Sequence, residues 1–261
     1  MFSDTQLRYS GAVTGILCTK RSAADPVDAA PQAVAATGVA VLPSFDVRRS
    51  LGVGREEWMR FARHWRHLAP DPYAAQLGVQ RLRRYGQFSF RDGILHPMPN
   101  GTFLQPEDSN PLYIGKGRDF EPLTDAFAAD PLLHKVIKLL ARVAAALDDI
   151  TDWNVKVHPF RIRSYDSKAG GGRPTPEGMH RDGVTLVSSL LVGRRNTLGG
   201  QSLVCDLDGR QLLTTTLTEP GTLLVGDDRR TIHGVSSIRP IDCYGPAQRD
   251  VLVITFASRW P

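Results

Sequence analysis

From residue 153 to the end of the sequence, the chain never sustains a helical period. Apolar runs at 154–164, 184–192, 202–206, 211–217, 222–226, 231–238 and 250–258 are short, and Gly, Pro and Asp separate them. Runs of this length suit strands. Parallel strands would need crossover connections of a dozen or more residues, usually helical, and no convincing helix intervenes. The pattern therefore predicts an antiparallel sandwich or barrel.

The first half supplies the helices. Residues 55–68 (REEWMRFARHWRHL) carry Trp58, Phe61, Ala62, Trp65 and Leu68 at helical spacing. These aromatics read as core packing, and His64 and His67 as solvated surface histidines. Asp130-Pro131 opens a second helix, an N-cap followed by Pro at the first helical position. Leu132, Leu133, Val136, Ile137, Leu140, Val143, Ala144 and Leu147 give it a broad apolar face. Residues 38–43 (GVAVLP) read as a short strand closed by Pro43, and 79–95 as a hairpin turning at Asp92-Gly93. Residues 20–36 read as a loose connection or a weak helix. Residues 96–122 form a loop-rich stretch of the kind that lines sites. The expected organisation is a partly irregular N-terminal segment, 1–37, followed by a single domain over 38–261. Within that domain, 38–150 provides helical and hairpin support and 151–261 the β core. The fold class is mainly β with flanking helices, α+β.

Hydrophobic residues are 41% and charged residues 23% of the 261, an ordinary globular balance that rules out wholesale disorder. No stretch approaches the ~20 apolar residues of a membrane helix, and no secretory-type leader is recognised, so no membrane partner is expected. Lys plus Arg number 32 against 27 Asp plus Glu, a net charge of +5. The positive charge is scattered in short clusters such as Arg81, Arg83 and Arg84. A solvated, Arg-rich surface is the reading, and no nucleic-acid partner is expected. Cys18, Cys205 and Cys243 are far apart and form no CxxC. They support neither a disulfide framework nor a zinc site, and they suit the reducing cytoplasm.

The stretch EGMHRDG, residues 177–183, carries the chemistry. In an extended segment His180 and Asp182 point to the same side, where an imidazole and a carboxylate can share one metal ion. The best third ligand is His233, about 50 residues on, in a strand and followed by Gly234, which leaves space beside the ring. Two histidines and a carboxylate with open positions suit non-haem Fe(II) and oxygen chemistry. Without context, the rival reading is a hydrogen-bonded His180–Asp182 loop pair with His233 in the core.

The run RDVLVITF, residues 249–256, lowers that rival. Arg249, Val251, Val253 and Thr255 share one strand face. An Arg and a Thr on an otherwise apolar inward face are costly unless they meet an anion or a hydrogen-bond partner. Iron oxygenases that consume 2-oxoglutarate need a cation for its far carboxylate after the second histidine, and the fork of Arg suits that group. Arg239 is the rival anchor, but Pro240 follows it.

At these residues the sequence resembles the bacterial 2-oxoglutarate/Fe(II)-dependent dioxygenases of the L-isoleucine hydroxylase-like family. The motifs are PEGMHRDG, Gly199-Gly200-Gln201-Ser202, TIHGV and RDVLVITF. Upstream, Val157-His158 through Arg161-Ile162, Arg84-Tyr85, and the stretch from Asn110-Pro111 to Arg118-Asp119-Phe120 agree. The resemblance runs from about residue 38 onward. It implies a double-stranded β-helix (a jelly roll, cupin-like) and Fe(II) held by His180, Asp182 and His233. It also implies 2-oxoglutarate anchored by Arg249 with Thr255 on the same face, and O2 as oxidant. Family members commonly oxidise a free aliphatic amino acid at an unactivated carbon. The implied function is oxidation of a C–H bond of a free amino acid or derivative in specialised metabolism. Hydroxylation comes first; cyclisation or desaturation would use the same ligands.

A free amino acid needs a cation for its carboxylate and acceptors for its ammonium. His158, Arg161, Arg163, Arg84 and Tyr85 are the candidate substrate-binding residues. Arg161 and Arg163 lie opposite Phe160 and Ile162, where a solvated sheet face is an equal reading. The expected partner is this small molecule, with a homodimer left open. Three other readings stand beside it. One is a dioxygenase acting on nucleic acid or a carrier-bound residue, one a non-catalytic β-barrel binding protein, and one a zinc hydrolase.

Overall fold

In the computed structural model, residues 25–103, 117–165 and 172–258 are described. The first half contains α1 (Pro26–Thr37), β1 (Val39–Leu42), α2 (Ser44–Leu51), α3 (Arg55–Ala62), β2 (Ala69–Pro70), α4 (Pro72–Gln76) and β3 (Arg81–Arg83). It continues with β4 (Gly86–Arg91), β5 (Ile94–Met98), α5 (Asp125–Ala128) and α6 (Pro131–Leu147). The second half is β6 (Trp153–Ser164), β7 (Leu186–Arg195), β8 (Thr197–Gly199), β9 (Gln201–Asp206) and β10 (Gln211–Thr216). It ends with β11 (Leu223–Asp227), β12 (Thr231–Val235), β13 (Ile238–Pro240) and β14 (Ala247–Ala257).

All named strand pairs are antiparallel. A large sheet runs β1-β11-β7-β14-β6-β3-β2, with the β4–β5 hairpin added on β6. A small sheet, β10-β9-β12, and the pair β13-β8 complete the barrel wall. This is the expected jelly roll. Its central strands sort their side chains by parity. Leu252, Ile254 and Phe256 of β14, with Val155 and Val157 of β6, join the core under the helices. Val251, Val253 and Thr255, with His158 and Phe160, face the barrel interior. Register pairs Arg249 with Ile162, Val253 with His158 and Thr255 with Lys156. An extra residue in β7 opposite Asp250-Val251 interrupts the β14–β7 ladder, a bulge that re-aims side chains beside Arg249.

Helix α6 closes the outer face. The Asp130 carboxylate accepts from the Leu132 amide at 2.8 Å with Pro131 at the first helical position, and Leu133, Ile137 and Leu140 are fully buried. Helix α1 is firmer than a loose connection. Asp25 caps its start, accepting from Val27 N–H at 2.9 Å, and Gly38, at φ 83°, ends it. Val27, Ala30 and Val34, spaced i, i+3, i+7, bury into the same core. The hairpin turns where expected, with Asp92 and Gly93 both at positive φ, as a two-residue turn of this twist requires.

The surface expectation for His64 fails. His64 is not solvated: its ring stacks on Phe127, centroids 4.4 Å apart, and its Nε2 lies 2.8 Å from Asp130 Oδ2. The aromatic face of α3 carries the following turn inward with it, because Trp65 is fully buried and donates to the Phe160 carbonyl at 2.9 Å.

Candidate metal centre and binding cavity

His180 and His233 sit opposite each other across an isolated antiparallel bridge. Each amide donates to the other's carbonyl at 2.9 Å, so the ring centroids come within 4.4 Å. Gly234 lets this happen. A Cβ there would meet Met179 Sδ at 2.8 Å and the Gly178 carbonyl oxygen at 3.1 Å, so a side chain would push the His180 loop off the strand.

Asp182 is brought in by a residue the sequence reading did not single out. The Asp228 carboxylate, wholly buried, accepts from the Asp182 amide at 3.0 Å and the Val184 amide at 3.0 Å. It also faces His233 Nδ1 at 3.8 Å, the outer partner that a metal-bound imidazole commonly has. Burial and the adjacent Asp182 carboxylate push Asp228 up to about 7. Its only prior signal was the doublet Asp227-Asp228 five residues before His233.

The donor set fits one ion. Ligand atoms of His180, Asp182 and His233 all lie within 4.8 Å of one another, within small shifts of bonds of roughly 2.1 Å to a shared first-row ion. The Gly178 carbonyl lies 3.2 Å from His180 Nδ1, which makes that nitrogen the donor and leaves the Nε2 lone pair. Burial and the His180 ring hold His233 down to about 4, so it is a neutral imidazole.

The three residues open on a cavity of about 150 Å³ between the sheets. At one end is Arg249, 2% exposed, with Nε and Nη2 lacking any partner. Burial, then the neighbouring Arg194, lowers it to about 10. Gly200 makes room, since a Cβ there would stand 3.3 Å from Arg249 Cδ. A buried guanidinium with unmet donors fits a carboxylate. The rival, Arg239, is exposed on β13. Thr255 lines the cavity as its shared face predicts, but six residues along β14 from Arg249, roughly 20 Å in a strand. One carboxylate cannot bridge the two.

The substrate candidates separate. His158 lines the cavity. Tyr85 is buried behind it, rings 5.0 Å apart. Arg84 straps the outer loops, donating to the His67 and Pro122 carbonyls at 2.6 and 2.7 Å. Arg161 turns to the outer face and grips Asp250 with two bonds of 2.7 Å. Arg163 shares its parity and does not line the cavity. The structure instead brings in Arg81 and Arg83, 8% and 3% exposed, together with Arg118. The expectation that the 81–84 cluster is solvated is corrected for these two residues. They pair with β6 at Ile162 and Phe160, so they take the parity of the inward face. Lys156 adds a cation over the Phe103 ring at 5.1 Å. Burial pulls it below the usual lysine range while Asp182 pulls it back. Residues 104–116, the middle of the loop-rich stretch, lie outside the described residues, as does Cys18.

His158 gives a pH signature. Its Nδ1 lies 2.7 Å from Arg83 Nη2, and Arg can only donate, so the ring is neutral with its proton on Nε2. Burial, then Arg83, Lys156 and Arg118, hold it well below its ordinary 6.5. Below that pH the unfolded chain binds a proton that the folded one refuses. The group's stability is complete above 6.5 and is lost as pH falls toward the folded value, at about 1.4 kcal/mol per pH unit. His158→Gln should flatten the fall in metal-free melting temperature between pH 7 and 5.5. Equal slopes in the two proteins would reject the neutral, buried assignment.

A jelly-roll cavity holding two histidines, a carboxylate and a buried arginine is laid out for non-haem iron chemistry. Residues 62–255 match the family model described as 2OG-Fe dioxygenase, and the chain belongs to that family. It is an enzyme that uses Fe(II), 2-oxoglutarate and O2. It is 25% identical over 200 residues to an L-isoleucine-4-hydroxylase of Bacillus thuringiensis, covering 74% of this chain and 80% of that one. It is 24% identical over 216 residues to a 3(1)-hydroxy-L-isoleucine 4-dioxygenase of Pantoea ananatis, covering 77% and 81%. Among solved structures, a bsmA homologue from Methylobium petroleophilum PM1 superposes with a TM-score of 0.79 at 32% identity, covering 90% of this chain and 95% of that one. No helix among the described residues is long and apolar enough to cross a membrane.

Proposed function

We propose that this enzyme oxidises a C–H bond of a free amino acid or close derivative, most simply by hydroxylation, in specialised metabolism. His180, Asp182 and His233 hold the iron in this reading, and Arg249 takes the far carboxylate of 2-oxoglutarate. The observation that carries it is Arg249, buried without a partner on the wall of the cavity that the three ligands share. Bound Fe(II) with 2-oxoglutarate and O2 supplies a two-electron oxidation, with 2-oxoglutarate leaving as succinate and CO2. The residues of the chain position the target bond and keep bulk water away. Asp228 keeps the Asp182 loop in place, and the neutral histidines keep their lone pairs for the metal.

Burial of Arg81 and Arg83 supports a small substrate over a polymer, because these basic residues are sunk into the wall of a cavity of about 150 Å³ instead of lying along an exposed basic face. The relatives' names point to aliphatic amino acids as the first class to try. Cys205 and Cys243 are free thiols, which agrees with a cytoplasmic setting.

The test is succinate formation with Fe(II), ascorbate and 2-oxoglutarate across the free L-amino acids, L-isoleucine and its hydroxy derivatives first. At least one should raise turnover well above the rate without substrate. Neighbours differing by one methylene should differ by roughly 10–200-fold, the reach of an apolar pocket. Stimulation only by single-stranded nucleic acid or a carrier-bound residue would replace this reading.

A further inference from the structure

Two charged groups of opposite sign face the cavity, and neither metal nor 2-oxoglutarate binding uses them. The first is Arg83. Its Nε is buried without a partner, and its Nη2 donates to His158. Among the described residues, the carboxylate that approaches it, Asp71, engages Arg81 at 2.7 Å and stands 3.9 Å from Arg83. The Arg83 guanidinium sits among aromatic rings, its Cζ 3.5 Å from the Phe120 centroid and 4.6 Å from that of Phe160. The second is Glu177. Its side chain is 9% exposed, its Oε2 is buried without a partner, and its Oε1 lies 3.4 Å from His180 Nε2.

We propose that Arg83 and Glu177 form a two-point clamp for a zwitterion, with Arg83 taking the α-carboxylate of the substrate and Glu177 its α-ammonium. This deepens the amino-acid reading and rests on it. Each group is a buried charge with unmet hydrogen-bonding capacity, which is costly until an opposite charge arrives. A free amino acid brings both charges on one carbon. The aromatic rings and the bond to His158 restrain the guanidinium, so its position is fixed before the ligand binds. His158 adds to the same pole, because its acceptor Nδ1 leaves Nε2–H as a further donor. Burial and the Arg81 charge pull Arg83 well below the usual arginine range, a crowding that an incoming anion relieves. Glu177, three residues before His180, keeps the ammonium end beside the metal centre. The clamp thus ties selection for a free amine and a free acid to the PEGMHRDG motif and to β3.

The experiment measures ligand-induced melting shifts of the enzyme loaded with Mn(II) and 2-oxoglutarate. The probes are the free L-amino acids, then the best binder's carboxamide, N-acetyl and des-amino analogues. The wild type should bind the free amino acid roughly 10- to 100-fold more tightly than any of the three analogues. Glu177→Gln should lose its preference for the free amine over the des-amino analogue while still rejecting the carboxamide. Arg83→Met should do the reverse, and Arg83→Lys should restore part of the preference for the acid. Each variant is used only with a cooperative melt of its own. If the carboxamide and des-amino analogues bind the wild type as well as the parent, the clamp is wrong even without a usable variant. Unchanged discrimination in both variants overturns the clamp alone and leaves the amino-acid reading standing. If Glu177→Gln weakens metal binding without changing discrimination, its carboxylate belongs to the metal and the clamp is overturned. If no free amino acid binds the wild type, the amino-acid reading and the clamp fall together.

Discussion

Asp182→Ala should abolish stoichiometric Fe(II) binding in a protein that still folds. The aspartate is the one anion of the His180, Asp182, His233 set, and both histidines are neutral donors. Without it, two imidazoles face an uncompensated divalent charge. The loss should exceed the roughly 10–100-fold that even an outer partner of a metal ligand is worth. Folding should survive, because Asp182 stays partly exposed and the loop is held through its backbone. The Asp182 and Val184 amides donate to Asp228, and those bonds do not need the Asp182 side chain. Fe(II) titration under anaerobic conditions, with a melt run alongside, checks both halves. Tight one-to-one iron in a folded variant would falsify the ligand set.

Arg249→Ala should raise the apparent 2-oxoglutarate constant by more than a hundredfold and leave iron bound. Removing one side of a buried charge pair costs ~3–5 kcal/mol, and here the guanidinium has two unpartnered nitrogens to offer. The same burial gives a second readout of opposite sign. Holding a lone cation that burial has pulled down from the usual arginine range to about 10 costs the ligand-free fold on the order of 3 kcal/mol. Arg249→Leu, which refills the volume, should therefore melt no lower than the wild type without ligand. It should then fail to gain stability when 2-oxoglutarate is added. An unchanged 2-oxoglutarate constant would move the anchor elsewhere, with Arg239 the next to substitute.

The His180–Asp182 half of the metal site was legible because its spacing is local. Two residues apart in an extended segment put His180 and Asp182 on one side whatever the rest of the chain does, and parity alone aligned Arg249 with Thr255. The substrate end was not legible in the same way. Parity showed that Arg161 and Arg163 oppose Phe160 and Ile162, but it could not say which face turns inward. That was settled by the helices: α6 and its neighbours cover the face carrying Val155 and Val157, so the face carrying His158 and Phe160 closes on the cavity. Arg161 then meets Asp250 on the outside.

Arg81 and Arg83 were hidden for a related reason. Three arginines within four positions look like surface charge, because burying a guanidinium is costly. The short strand β3, pairing with β6, makes two of them inward residues, and Asp71 and the rings of Phe120 and Phe160 offset part of that cost. His64 was misjudged by the same kind of inference, since the partner that buries it, Phe127, is 63 positions away.

The sequence by itself determined an antiparallel sandwich or barrel, the helix capped at Asp130-Pro131, the placement of His180 and Asp182 on one side, and the shared strand face of Arg249 and Thr255. All of these follow from periodicity, capping chemistry and spacing within a few residues, where backbone geometry leaves little choice. Only the tertiary structure decided which face of β6 lines the cavity and which arginines enter it. It also decided that Asp228 holds the metal loop. These depend on contacts between segments far apart in the chain, where the net of burial cost and partner gain is settled only once every neighbour is in place.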